Sequence, residues 1–299
     1  MALTINTNLM AMTAARNLNN AYSALSVSTN RLSSGLRINS SADDAAGMAV
    51  SELMKADVAS LNQGVRNAND AISLIQTADG ALSVIDEKLV RMKELAEQAA
   101  TGTYTSDQRL IIDSEYQAMA SEITRIASAT DFNGIYLLNG NLSSTTHNGS
   151  TMSPTGKLKV HFGAGNLSSE DYYYIQINNS TASAFGLGMG AASSSTNAGR
   201  SISTQNLAQL ALDKINNAIV SKDKIRASIG ALQNRLENTI SNLEIQAENL
   251  TSAESQITDV DVATEMTEYV RQQILTQSAV AMLSQANSLP RMALTLIQG

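Results

Sequence analysis

From Ala11 onward, apolar residues recur in alternating steps of four and three, and no other feature constrains the fold as strongly. The first stretch reads Ala11, Ala15, Leu18, Tyr22 and Leu25, then Thr29, Leu32 and Leu36. Such a heptad seam is one stripe of a helix that packs lengthwise on another. It ends in Ser33-Ser34-Gly35 and Asn39-Ser40-Ser41, a turn-rich break, after which Asp43 or Asp44 supplies an N-cap oxygen. Nearly the same register then runs through Met54, Val58, Leu61, Val65, Ala68, Ile72, Ile75, Leu82, Leu89 and Ala96, with Asp79, Asp86 and Lys93 filling alternate steps. A helix from about Asp44 to Ala99 is ~80 Å long at ~1.5 Å per residue. That is far beyond the usual three turns and indicates a rod. Gly64 and Gly80 inside it each cost ~1 kcal/mol against Ala, which packing must offset.

Thr101-Gly102-Thr103 breaks this helix, and Thr105 with Gln108 offers a capping-box start for a shorter one carrying Ile112, Tyr116, Met119, Ile123 and Ile126. Asp131-Phe132-Asn133-Gly134 and Asn139-Gly140-Asn141 read as turns. Residues 140–200 lose the heptad and hold two strand-like pieces, Lys157 to Phe162 and Tyr172 to Ile177. About sixty residues are too few for a large independent domain, so one or two small β-hairpins are expected there. After Ser203 the seam returns through Ala208, Ala211, Ile215, Ala218, Ile225, Ile229, Leu232, Leu236, Leu243 and Leu250, interrupted by Lys222, Thr239 and Gln246. Asp259 or Asp261 then caps a last helix with a seam of Leu275, Ala279, Met282, Ala286, Leu289, Ala293 and Leu296, in which Pro290 should bend or weaken the final turns.

The expected fold is therefore mainly α, a long antiparallel helical rod or coiled-coil bundle with a small β-hairpin region, its termini paired as a helical coiled coil. Residues 1–42 and 260–299 form a terminal-helix domain, 43–139 and 200–259 the rod, and 140–199 a short variable β part. A lone terminal pair rich in Ala buries little area at ~25 cal/mol per Å², against an ordering cost of ~1–2 kcal/mol per residue. The ends are expected to stay disordered in the monomer and to fold only against copies of the same chain.

Composition removes most chemistries. The absence of Cys excludes a disulfide scaffold, a thiolate metal site and a cysteine nucleophile. A net charge of −7 argues against nucleic-acid binding. His147 and His161 lie in the polar β region without Cys or a matched carboxylate, so neither a metal nor any other cofactor is expected. Asp43-Asp44 and Asp259-Val260-Asp261 sit at helix starts, where capping explains them better than acid–base catalysis. Gly186-Leu187-Gly188-Met189-Gly190 lacks the strand-to-helix setting of a dinucleotide fingerprint and reads as a flexible loop. No window approaches ~18 consecutive apolar residues, so no membrane insertion is expected. The acid-poor stretch 1–42 fits its seam better than a transit peptide. An enzyme with its site between long helices would need clustered catalytic groups, and a signalling coiled coil does not account for ends that need partners.

Leu32-Ser33-Ser34-Gly35-Leu36-Arg37-Ile38-Asn39, followed by Ala42-Asp43-Asp44-Ala45-Ala46-Gly47-Met48-Ala49, resembles the end signature of bacterial flagellins. Phe132-Asn133-Gly134 and the run from Ala286-Asn287 to Leu296 are similar to the same family. The resemblance covers roughly residues 1–140 and 200–299, and the large outer domains of long flagellins have no counterpart in 140–199. It implies a structural subunit, not an enzyme, that leaves the cell unfolded through the flagellar export channel and polymerises beneath a cap into an extracellular helical filament used for motility. The hook–filament junction proteins have similar ends and are the alternative.

The resemblance further implies that Ala2–Arg37 and Ala263–Gly299 carry assembly, through Leu18, Tyr22, Leu25, Leu32 and Leu36 and through Leu275, Met282, Leu289 and Leu296. The partners it implies are copies of the chain itself, an export chaperone on the C-terminal segment, the filament cap and the hook-junction proteins. In flagellins sensed by an animal Toll-like receptor, the contact positions match Arg91, Leu95 and Glu115, while Val90 departs from the glutamine common in sensed members. Arg91 and Leu95, four apart, share a helix face. A filament-internal ion pair is the competing role for Arg91 and Glu115. Glycans on Ser and Thr of 140–200 are also compatible with the resemblance.

Overall fold

The computed structural model describes residues 7–144, 147–148, 155–167, 170–188 and 199–298. Among them run five α-helices: α1 Leu9–Ser34, α2 Ala45–Ala100, α3 Ser106–Ala129, α4 Gln205–Thr258 and α5 Val262–Gln298. Six short strands lie between α3 and α4: β1 Asp131–Phe132, β2 Ile135–Tyr136, β3 His147–Asn148, β4 Thr155–Gly156, β5 Leu158–His161 and β6 Tyr172–Ile175. They pair antiparallel as β1-β2, β3-β4 and β5-β6. The mainly helical fold with a small β region is as the seams imply. Met189 and Gly190 of the glycine-rich loop lie outside the described residues, as do the side chain of His147 and most Ser and Thr positions of 140–199.

The chain divides into two compact units, Met1–Val58 with Glu248–Gly299, and Ala59–Ala247. In the second unit α2 buries Leu61 and then, in four-three alternation, Ala68, Ala71, Ile75, Ala78, Leu82, Ile85, Leu89, Met92, Ala96 and Ala99, with Leu74 and Leu95 buried beside this seam. One row is the one read from the sequence. The other lies one residue earlier, on Ala71, Ala78, Ile85 and Met92, so Asp79, Asp86 and Lys93 flank the seam and are only half-buried. There the two acids meet α4: Arg226 Nε donates to Asp79 Oδ1 at 2.7 Å, and Lys222 Nζ to Asp86 Oδ1 at 2.6 Å. The rising and falling numbers show that the two helices are antiparallel in this unit. Lys222 itself stays in the α4 seam, its side chain 3% exposed and also paired with Asp223 at 2.7 Å.

The capping box of Thr105 and Gln108 opens α3, whose Ile112, Tyr116, Ala120, Ile123 and Ala127 complete this core. The Tyr116 hydroxyl donates to the Gly199 carbonyl at 2.8 Å, and burial pushes its pKa above the ordinary phenol value. Asp113 accepts from the Ile202 N–H at 2.6 Å, so two α3 side chains fix the approach to α4. Asn133 and Gly134, with φ of 52° and 78°, make the two-residue turn of the β1-β2 hairpin. In β5-β6, Val160 and Ile175 face the core, while Lys159 lies over the Tyr172 ring at 3.6 Å. Gly64 lies in α2 where the Phe162 carbonyl approaches too closely for any side chain; Gly80 has open space.

In the first unit α1 and α5 pack antiparallel on each other. Asn8 caps α1 by accepting from the Ala11 N–H and donates its side-chain N–H to the Ala286 carbonyl at 2.7 Å. Arg31, about six turns further along α1, pairs with Glu265 near the start of α5 at 3.6 Å. Both ends are formed helices that pair with each other within one chain, the terminal coiled coil that the seams imply. α5 runs as helix through Pro290 to Gln298. No helix among the described residues is long and apolar enough to cross a membrane.

Candidate assembly surface

The joint between the terminal helices and the longer ones is built from the residues of the Leu32–Ala49 run. Gly35, at φ 74°, closes α1 by donating its N–H to Arg31 O at 2.8 Å. Three hydrogen bonds then tie this turn to the α4–α5 turn. The Val260 N–H donates to Gly35 O at 3.0 Å, the Arg37 N–H to Thr258 O at 2.6 Å, and the Arg37 guanidinium to Ile257 O at 2.5 Å. A cation on the last carbonyls of α4 satisfies orphan acceptors and complements the helix dipole.

Ile38 buries its side chain beneath the turn. Asp43 accepts from the Asn39 and Ser40 N–H groups, and Asp44 from those of Ala46 and Gly47. The two acids therefore divide the work: Asp44 caps α2, and Asp43 closes the turn before it. The backbone N–H of Ser40, then that of Asn39, holds the Asp43 carboxyl below its ordinary pKa. Gly47 leaves room for Asp44, since a Cβ there would stand 2.5 Å from its Oδ2 and 2.7 Å from Ile38 Cδ1. On the partner turn Asp261 caps α5 through the Ala263 N–H and takes the Thr264 hydroxyl at 2.7 Å, and that hydroxyl, then the backbone bonds, lowers its pKa. Asp259 instead accepts from the Ser255 and Thr258 hydroxyls.

The inner face of the terminal pair is small and partly polar. α1 turns Ala21 and Ser28 inward, with Leu18, Leu25 and Leu32 half-buried; α5 turns Glu265, Thr276 and Ala286 inward, with Ala279 and Leu283 half-buried. Tyr22 is thus displaced from the seam by Ala21 and is 52% exposed, and Leu275 and Met282 are displaced by Thr276 and Leu283, at 48% and 59% exposed. Small residues let the two helices approach closely, which leaves bulky neighbours on the flank. Leu36 is half-buried in the joint, bridged to Asp259. The side chains of Leu289 and Leu296 lie outside the described residues, as do residues 1–6.

On one flank Leu9, Met10, Ala14, Ala21 and Ala24 of α1 and Leu275, Ala279, Met282 and Ala286 of α5, with Thr13, Asn17, Asn20, Gln272, Ser278 and Gln285 among them, line a largely apolar groove of about 880 Å³. Leu9 escapes a seam-based reading because it precedes the first seam residue, whereas Met10, Met12 and Met282, which the sequence reads as seam packing, are each at least 50% exposed. Nothing within this chain among the described residues covers the groove, and an exposed apolar strip of this kind marks a surface that meets another.

The receptor-like positions are not equivalent. Arg91 donates to Glu115 Oε1 at 2.8 and 3.0 Å and to Glu94 Oε2 at 3.0 Å, joining α2 to α3 at the surface. The hydrogen bond to Glu115, then that to Glu94, raises the guanidinium pKa. Leu95, however, is 1% exposed in the core, so the expectation that it shares an accessible face with Arg91 is corrected. Four residues advance a helix by about 400°, and that ~40° offset carries Leu95 across the boundary between surface and seam.

Comparison with known proteins agrees with this architecture at both ends. Residues 5–143 match the bacterial flagellin N-terminal helical region, and residues 212–297 match the bacterial flagellin C-terminal helical region. The chain is 39% identical over 294 residues to flagellin FlaB2 of Treponema pallidum, and 40% identical over 294 residues to the flagellar filament 33 kDa core protein of Treponema phagedenis. Each alignment covers 98% of this chain and 99% of the relative. A putative flagellar hook-associated protein from Vibrio parahaemolyticus is similar in fold alone, with a TM-score of 0.54 and 17% identity over 73% of this chain and all of that one. Full-length similarity to filament proteins disfavours the hook–filament junction alternative. The chain belongs to the bacterial flagellin family and is a structural subunit of the flagellar filament that assembles with copies of itself, not an enzyme.

Proposed function

We propose that the outward faces of α1 and α5 are the surfaces through which copies join. The observation that carries this reading is the apolar groove left beside a closed inner seam, with Leu275 and Met282 exposed on its wall. A groove on one copy filled by a different face of the next is a heterologous contact, and such a contact that does not close on itself yields an open helical polymer. In this reading residues 1–42 with 260–299 line the inside of the tube. Residues 43–139 with 200–259 surround them, and 140–199 face outward.

The test is sedimentation of the full-length subunit and of a Leu275→Gln/Met282→Gln variant, with circular dichroism on both. Because both side chains are exposed in the single chain, helicity should stay unchanged while the pelleted fraction collapses. Undiminished pelleting would overturn the assignment of this face.

Passage through the export channel as an unfolded chain, and thus a filament outside the cell, are part of the same proposal. So are contacts of α5 with an export chaperone and of the assembled ends with cap and hook-junction proteins. A chain without Cys, with aromatics at 4%, has no disulfide to form and few large side chains to bury during transit. For an animal Toll-like receptor, Arg91 and Glu115 are the accessible contacts and Leu95 acts only by packing beneath them. Arg91→Ala should weaken receptor activation, and Leu95→Met should leave it unchanged if this division is right.

A further inference from the structure

Among the described residues, methionines differ in exposure between the two units. Met10, Met12, Met266, Met282 and Met292, all on α1 or α5, are each at least 44% exposed, whereas Met92 in the core of the second unit is fully buried. Met48, Met54 and Met119 are half-buried. Met10 and Met282 face the same groove, among Leu9, Leu275, Ala279 and Ala286. Of these side chains only the two thioethers react readily with a peroxide, and the chain has no Cys to consume the oxidant first.

We propose that Met10 and Met282 form an oxidation-sensitive site through which a hydroperoxide controls polymerisation of the free subunit, an inference that rests on the groove being an assembly surface. A sulfur lone pair attacks one peroxide oxygen. The S–O bond forms as the O–O bond breaks, and the departing hydroxide takes up the remaining proton as water. Each thioether loses two electrons to become a sulfoxide, and each hydrogen peroxide is reduced by the same two electrons. The sulfoxide converts an apolar wall into one carrying a strong acceptor, which an arriving copy would have to desolvate without offering it a donor. Leu at the same positions keeps the wall apolar and is inert to the oxidant.

The experiment uses purified full-length subunit treated with graded hydrogen peroxide. Oxidised positions are mapped by peptide mass spectrometry, and the critical concentration for polymerisation is measured by sedimentation. A rise on the order of tenfold, tracking sulfoxide at Met10 and Met282, is expected. A Met10→Leu/Met282→Leu variant should assemble untreated and keep its critical concentration after peroxide. If peroxide raises it equally in the variant, or if wild type fully oxidised at both positions polymerises normally, the proposal fails.

Should the Leu variant assemble poorly even untreated, repair of oxidised wild type with methionine sulfoxide reductases decides. Recovery must follow reduction at Met10 and Met282, and recovery while both remain oxidised overturns the site. Either result is separable from the assembly reading, which stands or falls on untreated Leu275→Gln/Met282→Gln subunits.

Discussion

Lys222 places an ammonium in a helical seam at 3% side-chain exposure, which is tolerable only because Asp86 and Asp223 both reach it. Removing a partner should therefore cost more than removing the lysine. Asp86→Ala leaves a buried cation short of one charge-assisted bond and is expected to lower stability by about 2 kcal/mol. Lys222→Met, similar in volume, should stay within about 1 kcal/mol of wild type. Urea unfolding followed by circular dichroism compares them.

Burial opposes the charge on Lys222, but its hydrogen bonds to Asp223 and Asp86 prevail and raise its pKa. A raised lysine contributes stability that is complete below the unfolded value of about 10.4 and disappears as pH climbs past the folded one. Alkaline titration above that range should thus destabilise wild type more than Lys222→Met. The α2 glycines make a second contrast. Gly80→Ala enters open space in a helix and should add about 0.5–1 kcal/mol. Gly64→Ala runs into the Phe162 carbonyl and should cost about 1–3 kcal/mol, with opposite shifts in thermal midpoint.

At the scale of elements, the heptads revealed the helices and their ends, down to the Thr105–Gln108 box and the length of α2 and α4. What spacing left open was phase. In α1, α2 and α5 the step between two secure seam positions offers two adjacent residues, and choosing the larger or the one that keeps the count gives Tyr22, Ile72, Leu275 and Met282. The structure turns inward Ala21, Ala71, Thr276 and Leu283, because how closely the facing helix approaches decides which of two neighbours fits, and that distance is not written in one helix's own sequence. The residues proposed for assembly are therefore recognisable in the sequence as apolar and terminal, but their exposure is not. The Leu32–Ala49 run was recognisable as a motif, while Arg37 capping α4 depends on residues more than 200 positions away.

The connecting turns carry their own pH dependence. Asp43 and Asp261 have carboxyls held below the ordinary value by hydrogen bonds to the charged form. Their contribution is present above the unfolded pKa of about 3.9 and is lost as pH falls through the depressed ones. Amide exchange at Asn39 and Ser40 should accelerate below about pH 3, and Asp43→Asn should remove that acid-dependent step.

For the whole molecule the proposed assembly sets a largely apolar groove against a net charge of −7. If that groove is where copies meet, its burial draws them together, while like net charge holds them apart until salt screens it. Raising ionic strength from about 0.01 to 0.15 M shortens the screening length from ~30 to ~8 Å. The critical concentration should accordingly fall, as light scattering would show; a rise would mean that ion pairs, rather than apolar burial, dominate the contact.

The most direct test uses the absence of native Cys. A single thiol introduced by Leu275→Cys can be followed by its rate of maleimide labelling in the dilute subunit and in the sedimented filament, each referred to a thiol introduced by Thr103→Cys, on the exposed turn between α2 and α3. Burial of this face between copies requires rapid labelling in the subunit and at least about tenfold slower labelling at position 275 in the filament. Equal labelling in both states would contradict it.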